Sequence, residues 1–486
     1  MKEFGIYICI CHFFFVPLRA DLCIRNKMIK SLLNKSNTQQ SLERLFEWIR
    51  RRNLEVEVNV EQIPFAEMKG WRMDADGCIR HESGKFFSIE GIHVRTDEGQ
   101  ILEWEQPIIN QPEIGYLGIL TKEIDGVLYF LMQAKIEPGN VNCVQISPTL
   151  QATKSNYTQQ HKGRKPLYLE YFQNAKPNQV LLDQLQSEQG ARFLRKRNRN
   201  IIIKVDEEVP VYEDFAWMTL AQIKELMHHD NMVNMDTRTV LAGLDFGQYE
   251  IGEEAMQQMS SFGRDMIASA RSHKALHTMN EHLSWLTQLK SSAELNVRYM
   301  PLKDIQGDWQ INEYEISRKD KKYFRVIGTR VNISNREVTS WCQPLVQPMQ
   351  QGICAFIIKK IDGVYHFLVH AKMECGNLDV YELAPTVQCL TGNVLEVPKD
   401  KWPAFTDYVL NAKPEQILYD TLQSEEGGRF YHEQNRNMLI EVGNEFPIDV
   451  PADYHWMTLG QIHEFMRFNN YINIQARSLI AAIKYV

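Results

Sequence analysis

The 486-residue sequence is most informative at first for what it does not contain. There is no GxxxxGK[ST] loop, no GxGxxG between a strand and a helix, and no HExxH, which removes phosphate cradles, dinucleotide fingerprints and zinc proteases of the standard kinds. A GxSxG nucleophile elbow is missing too. The nine cysteines include no CxxC pair, so neither a zinc ribbon nor a redox motif is present, and free thiols in a reducing cytoplasm fit best. Basic charge is also short. With a net charge of -7, the chain lacks the dense Lys/Arg patches that nucleic acid requires. Its one basic run, Arg195 to Arg199, reads as a solvated helix face or turn, or as a phosphate contact. No apolar run reaches the roughly 20 residues that span a bilayer, so no membrane partner is expected. The stretch FGIYICICHFFFVP, residues 4 to 17, follows Lys2 as a signal-peptide core would, but Arg19 interrupts the place of a cleavage site. Met28 opens a more ordinary leader, so residues 1–27 read as an over-extended gene start within an N-terminal extension, 1–37.

What the chain does contain, it contains twice. At an offset of 237, AKIEPGN at 134 matches AKMECGN at 371, WEQP at 104 matches WCQP at 341, and IDGV recurs at 124 and 361. PTLQ and PTVQ at 148 and 385, NAKP at 174 and 411, QSEQG and QSEEG at 186 and 423, and NRN at 198 and 435 continue the series. Trp48 aligns with Trp285, Phe87 with Phe324 and Gly91 with Gly328. WMTLAQI at 217 and WMTLGQI at 456 close it at an offset of 239, after two insertions in a loop. Each copy is about 200 residues, a domain rather than a solenoid unit. The expected organisation is repeat 1 at 38–243, a helical connector at 244–274 and repeat 2 at 275–486. Within a copy, Leu42, Leu45, Phe46 and Ile49 have helical spacing, alternating strands follow, Asp-Gly in IDGV predicts a tight hairpin, and Thr219 caps a closing helix. The fold class is α+β, a mixed sheet with flanking helices, in tandem duplicate.

The strand from Tyr129 to Glu137 places Met132, Ala134 and Ile136 on one face and Gln133, Lys135 and Glu137 on the other. In repeat 2, Val369, Ala371 and Met373 oppose His370, Lys372 and Glu374. The bland reading of the polar face is a solvated Lys–Glu pair worth under about 1 kcal/mol. The functional reading is a pocket. Gly-Asn follows the triplet in both copies, with Asn140 and Asn377. Thr149 and Gln151, or Thr386 and Gln388, add hydrogen-bonding groups, and Trp104 with Gln106, or Trp341 with Gln343, would floor a polar pocket. Lys, Glu, His, Tyr and Asn without a metal or cofactor motif suit proton transfer.

These motifs, WEQPI, GVLYFLMQAKIEPGN, VQISPTLQATKSNYTQQHKGRKPLYLEYF, DQLQSEQGARF and the repeat-2 EGGRFY with NRN, resemble the NDP-hexose 2,3-dehydratases over residues 40 to 486. The resemblance implies a homodimer of subunits with two Nudix-like domains, acting without a cofactor or metal on a dTDP-linked 4-keto-6-deoxy-hexose. It implies loss of water across C2 and C3 to a 3,4-diketo-2,6-dideoxy sugar, which a sugar 3-ketoreductase then intercepts. The glutamate-rich Nudix box has no counterpart here, which disfavours a nucleoside diphosphate hydrolase; a catalytically silent nucleotide-sugar-binding dimer is the other alternative. Glu137 or Glu374 is the expected base, with Lys135 or Lys372 stabilising the enolate. Downstream of PTLQ the copies diverge. SNYTQQH, with Ser155, Asn156, Tyr157 and His161, becomes GNVLEVP, and Phe-Leu-Arg at 193 becomes Phe-Tyr-His at 430. Tyr157, His161 and Tyr431 are the proton-donor candidates. Arg192 and Arg429 are set either for the diphosphate or for salt bridges to Glu188 and Glu425. Which copy is active is left open.

Overall fold

The computed structural model describes residues 26–35, 39–157, 165–336 and 338–486, so the apolar stretch at 4 to 17 lies outside the described residues. Each repeat opens with an amphipathic helix, Leu42–Glu55 or Met279–Ser292, capped by the side chains of Ser41 and Thr278. The helix lies on its own repeat's large sheet. Trp48 Nε1 donates to Glu213 O at 3.0 Å, and Trp285 Nε1 to Ala452 O at 2.7 Å. Among the described residues no helix is long and apolar enough to cross a membrane.

The large sheet of repeat 1 has seven strands, in the order Val180–Ser187, Arg197–Val205, Gly115–Ile124, Val127–Ile136 and Phe215–Met218, with two short strands alongside. It is mixed, because Arg197–Val205 runs parallel to Gly115–Ile124 while the other pairs are antiparallel. Repeat 2 reproduces it. The Asp-Gly hairpins form as expected, with φ of 49° and 76° at Asp125 and Gly126, and 50° and 79° at Asp362 and Gly363.

That hairpin splays. Its strands pair only from the turn back to Leu120 and Leu131. Beyond this point Gln133–Ile136 pairs with Val144–Ser147, and Tyr116–Gly118 pairs with Leu150–Ala152. Thr149 stands at the fork. Its Oγ1 accepts from Leu120 N at 2.9 Å and donates to Leu131 O, tying the last hairpin pair before the strands part. Thr386 does the same between Ile357 and Leu368. The expectation that these threonines face a ligand is corrected: both are fully engaged inside the sheet.

Two small sheets complete the molecule, and they cross the repeat boundary. Val58–Ile63 of repeat 1 pairs with Phe324–Ile333 of repeat 2, and Leu295–Met300 of repeat 2 pairs with Ser88–Thr96 of repeat 1. The exchange is reciprocal. It requires a glycine at the end of each seam, because a Cβ on Gly91 would stand 2.7 Å from Met300 O, and one on Gly328 would stand 2.9 Å from Ile63 O. The two repeats are therefore interlocked rather than self-contained units at 38–243 and 275–486. Their closing helices, Met235–Ala242 and Ile474–Ala481, also meet, with Arg477 Nε donating to Thr239 Oγ1 at 2.7 Å.

The expected N-terminal extension and the connector both contribute to these cores. The helix described from 26 to 33 buries Met28, Ile29 and Leu32, and the connector helix Ser261–Arg271 buries Met266 and Ile267. Ser31 Oγ accepts from Leu220 N at 2.8 Å; Ser269 Oγ accepts from Leu459 N at 2.9 Å. These are the same element in two copies, each holding the N-terminus of one of the helices Leu220–Leu226 and Leu459–Met466.

Candidate active site

The polar face of the splayed strand is not solvated: Lys135 is 7% and Glu137 6% exposed. Both line a cleft of about 490 Å³ formed where the hairpin opens. Gln151 Nε2 donates to Glu137 Oε1 at 2.8 Å, Lys135 Nζ lies 3.4 Å from the same oxygen, and Glu137 Oε2 has no hydrogen-bond partner among the described residues. Gln151 is itself fixed by Asn234 Nδ2 at 3.3 Å.

The opposite wall comes from repeat 2. The Pro138–Asn140 turn docks on the Glu426–Tyr431 turn through Gly139 N to Gly427 O and His432 N to Gly139 O, both 2.8 Å. This brings Glu426, Gly428 and Arg429 into the cleft, and with them Trp341 and Gln343. Trp341 Nε1 donates to Gln343 Oε1 at 2.8 Å, and Gln343 Nε2 to Gly428 O at 2.8 Å. The expected partnership of Trp104 and Gln106 with the repeat-1 strand is thus corrected. The interlocking crosses the motifs, so WCQP of repeat 2 serves AKIEPGN of repeat 1, while Trp104 packs in the cluster that holds Cys375. Gln106 Nε2 donates to Ala191 O at 3.1 Å on that other side.

Trp71, His81, Phe86 and Phe87 form an aromatic flank. Arg429 sits 4.1 Å over the Phe87 ring, with Nε and Nη2 donating to Gln111 Oε1 at 3.3 and 3.2 Å. Neither Arg429 nor Arg192 pairs with the carboxylate expected from sequence; Arg192 stacks on Phe324 at 4.2 Å, outside the cleft. The basic run is neither a helix face nor solvated at Lys196. It leads into the strand Arg197–Val205, and Lys196 lines the cleft with Nζ donating to Glu113 O.

Carboxyl groups crowd this space. Burial, then the neighbouring Glu137, pushes Glu426 up to about 7. Glu426 is partly exposed at the cleft wall, yet the protein packed around it makes desolvation the largest influence. Asp236 and Glu188 are raised by the same burial, and burial lowers Lys196 to about 8 against the pull of Glu188. Glu426 and Asp236 do not stand out in the sequence as site residues, and Lys196 does so only within the basic run weighed as a phosphate contact. A signal existed: their counterparts in the other repeat are Gln189, Gln475 and Glu433.

The remaining expected residues are placed as follows. Asn140 Nδ2 donates to Cys143 O at 2.7 Å and closes the docking turn. Asn377 lies beside Gly190 in the matching turn, its backbone N donating to Glu374 O at 3.1 Å. Ser155 Oγ donates to Glu113 Oε1 at 3.1 Å. Tyr157 packs edge-on to Tyr116, and Tyr431 stacks on His432 at 4.2 Å; neither lines the cleft. The Asn156 side chain and His161 lie outside the described residues. Gln388 Nε2 still donates to Glu374 Oε1 at 3.0 Å, but Lys372 Nζ turns to Gln388 O at 3.5 Å; all three lie outside the cleft, and burial raises Glu374.

The NDP-hexose 2,3-dehydratase family model matches residues 42–244 and 279–483, one match per repeat. Relatives share both repeats. The dTDP-4-dehydro-6-deoxy-alpha-D-glucopyranose 2,3-dehydratase of Saccharopolyspora spinosa is 45% identical over 459 residues, covering 94% of each chain. Enzymes of the same name from Amycolatopsis orientalis and Streptomyces violaceoruber are 42% and 43% identical, over 94% and 90% of this chain and 93% and 96% of theirs. The chain belongs to the NDP-hexose 2,3-dehydratase family. In this dehydratase the two matches are halves of one construction, since the walls of the cleft come from both.

Proposed function

We propose that this dehydratase removes water across C2 and C3 of a dTDP-linked 4-keto-6-deoxy-hexose, and that Glu137 is the base. The observation that carries this reading is Glu137 Oε2, a buried carboxylate oxygen with no hydrogen-bond partner among the described residues, on a side chain that lines a cleft of about 490 Å³. The C4 keto group acidifies the hydrogen on C3. Glu137 takes that proton, and the bonding pair moves into a C3–C4 double bond with negative charge on O4. Lys135, 3.4 Å from the Glu137 carboxylate, supplies the positive charge that stabilises this oxyanion. Collapse of the enolate forms the C2–C3 double bond and expels the C2 oxygen, which leaves as water once protonated. The enol at C3 then tautomerises to the 3,4-diketo sugar.

The aromatic flank of Trp71, Phe86 and Phe87 suits the nucleobase, and Arg429 the diphosphate. A Nudix-like fold for each repeat, a homodimer, and interception of the product by a sugar 3-ketoreductase belong to the same reading; the mixed sheet flanked by helices supports the first. Incubation with the 4-keto sugar nucleotide, with and without a trapping reductase, tests it by mass. Loss of one water is expected from the wild type and none from Glu137→Gln; full turnover by that variant would sink the assignment of the base.

A further inference from the structure

We infer that Glu426 of repeat 2 is the group that protonates the departing C2 oxygen, with the base on one repeat and the acid on the other. This rests on the dehydratase reading above.

Glu426 folds back on its own turn, its Oε1 accepting from Gly428 N at 3.1 Å. The point where a Cβ on Gly428 would stand is 2.3 Å from Glu426 Oε1 and 3.4 Å from Glu137 Oε1. Lacking that carbon, the turn leaves one small space in which carboxyls from the two repeats face each other. Burial and the nearby Glu137 favour the protonated form of Glu426, while Arg429 opposes it. A carboxyl that holds its proton, set across a small space from the base, is the arrangement an elimination needs.

The electron pair of the C3–H bond ends in the C2–C3 double bond. The pair of the C2–O bond leaves on oxygen, which takes the Glu426 proton and departs as water. Glu137 then holds the C3 proton and Glu426 is ionised. Ketonisation restores both, because the C3 hydroxyl loses a proton and C2 gains one.

The related position in the other half has lost this machinery. Gln189 replaces Glu426, Ala191 replaces Gly428, and Glu433 replaces Lys196. Gln189 is an amide that donates to Glu425, so it cannot serve as the acid. Lys372 and Glu374 survive there without a carboxyl at the position equivalent to Glu426.

Exchange of the C3 hydrogen in D2O, read by mass on recovered 4-keto sugar nucleotide, reports proton abstraction alone; reductase-trapped product reports water loss. Glu426→Gln is expected to keep exchange within several-fold and to lose elimination by about 10²-fold or more. Glu137→Gln loses both, and Glu374→Gln keeps both. Should the glutamine variant lose its fold, Glu426→Asp retains an ionisable group, and elimination falls more than exchange. Equal losses in the two assays, elimination by Glu426→Gln at the wild-type rate, or a loss of elimination in Glu374→Gln equal to that of Glu426→Gln overturns the assignment. A wild-type chain that neither exchanges nor eliminates overturns the dehydratase reading itself, a result distinct from these.

Discussion

Gly139→Ala puts the junction between the repeats to a quantitative test. A Cβ there would stand 1.6 Å from Phe430 O and 2.8 Å from Gly427 O, whereas ordinary contact begins at 3.4 Å. The repeat-2 turn must retreat by about 1.8 Å. The hydrogen bonds from Gly139 N to Gly427 O and from His432 N to Gly139 O are both 2.8 Å and do not survive that movement. Their loss, with buried groups left unsatisfied, costs about 2–5 kcal/mol. A displacement of about 1 Å at reacting groups already costs about 10²-fold in rate, so kcat should fall at least that far. Gly376→Ala is the matched control. Its Cβ would stand 1.8 Å from Phe193 O, and the Gly376 N to Gly190 O and Arg195 N to Gly376 O bonds, both 2.7 Å, are the same pair in the other half. Urea midpoints should drop alike in the two variants, but Gly139→Ala should lose far more turnover in a reductase-coupled assay at a temperature where both are folded, because Gly376 docks on a turn that reaches the cleft only through Phe193 and Lys196. Equal loss of activity in both, or wild-type turnover in Gly139→Ala, would refute the placement of the site.

Thr149→Val removes the clamp between Leu120 and Leu131 and should lower stability by about 2–3 kcal/mol; an unchanged urea midpoint contradicts the fork. Arg429→Lys keeps charge but loses both the fork on Gln111 and the stack on Phe87, so KM for the sugar nucleotide should rise about 10-fold with little change in kcat. A fall in kcat at constant KM argues against a binding role. Elimination should decline as pH rises through about 7. Glu426 is held above the usual carboxylate range by burial, so its protonated form prevails below that pH and is lost above it. A rate that climbs steadily from pH 6 to 9 contradicts the sign.

Much of this was readable in the letters. The 237-residue offset gave the duplication, alternation gave the strand Val127–Ile136, and Asp-Gly gave its hairpin. The strand exchange was not readable, for a physical reason: Val58–Ile63 and its copy Leu295–Met300 present equivalent residues to equivalent strands. Hydrophobic pattern and register are satisfied equally by pairing within a repeat or across repeats, so only the three-dimensional path of the chain decides. The crossed partnership of Trp341 with Lys135 follows from the same degeneracy. Glu426 was within reach, since QSEQG against QSEEG displays the change, but a difference in a loop has no meaning until the loop is seen against Glu137. Thr149 shows the reverse error, because a polar residue beside a site can be spent on the backbone that shapes it.

The reciprocal exchange also sets a timetable for the nascent chain. Ile63 pairs with Gly328, which the ribosome adds 265 residues later, so at about 5–20 residues per second the strand waits on the order of 10–50 s for its partner. Through that interval Ser88–Thr96 is likewise an unfilled sheet edge awaiting Leu295–Met300, open to any other chain with a free strand. A neighbouring polysome is the nearest source of one. Codon-level pauses and chaperone capture between these two points of synthesis therefore bear directly on the yield of active enzyme, and a truncated first half is expected to accumulate as aggregate.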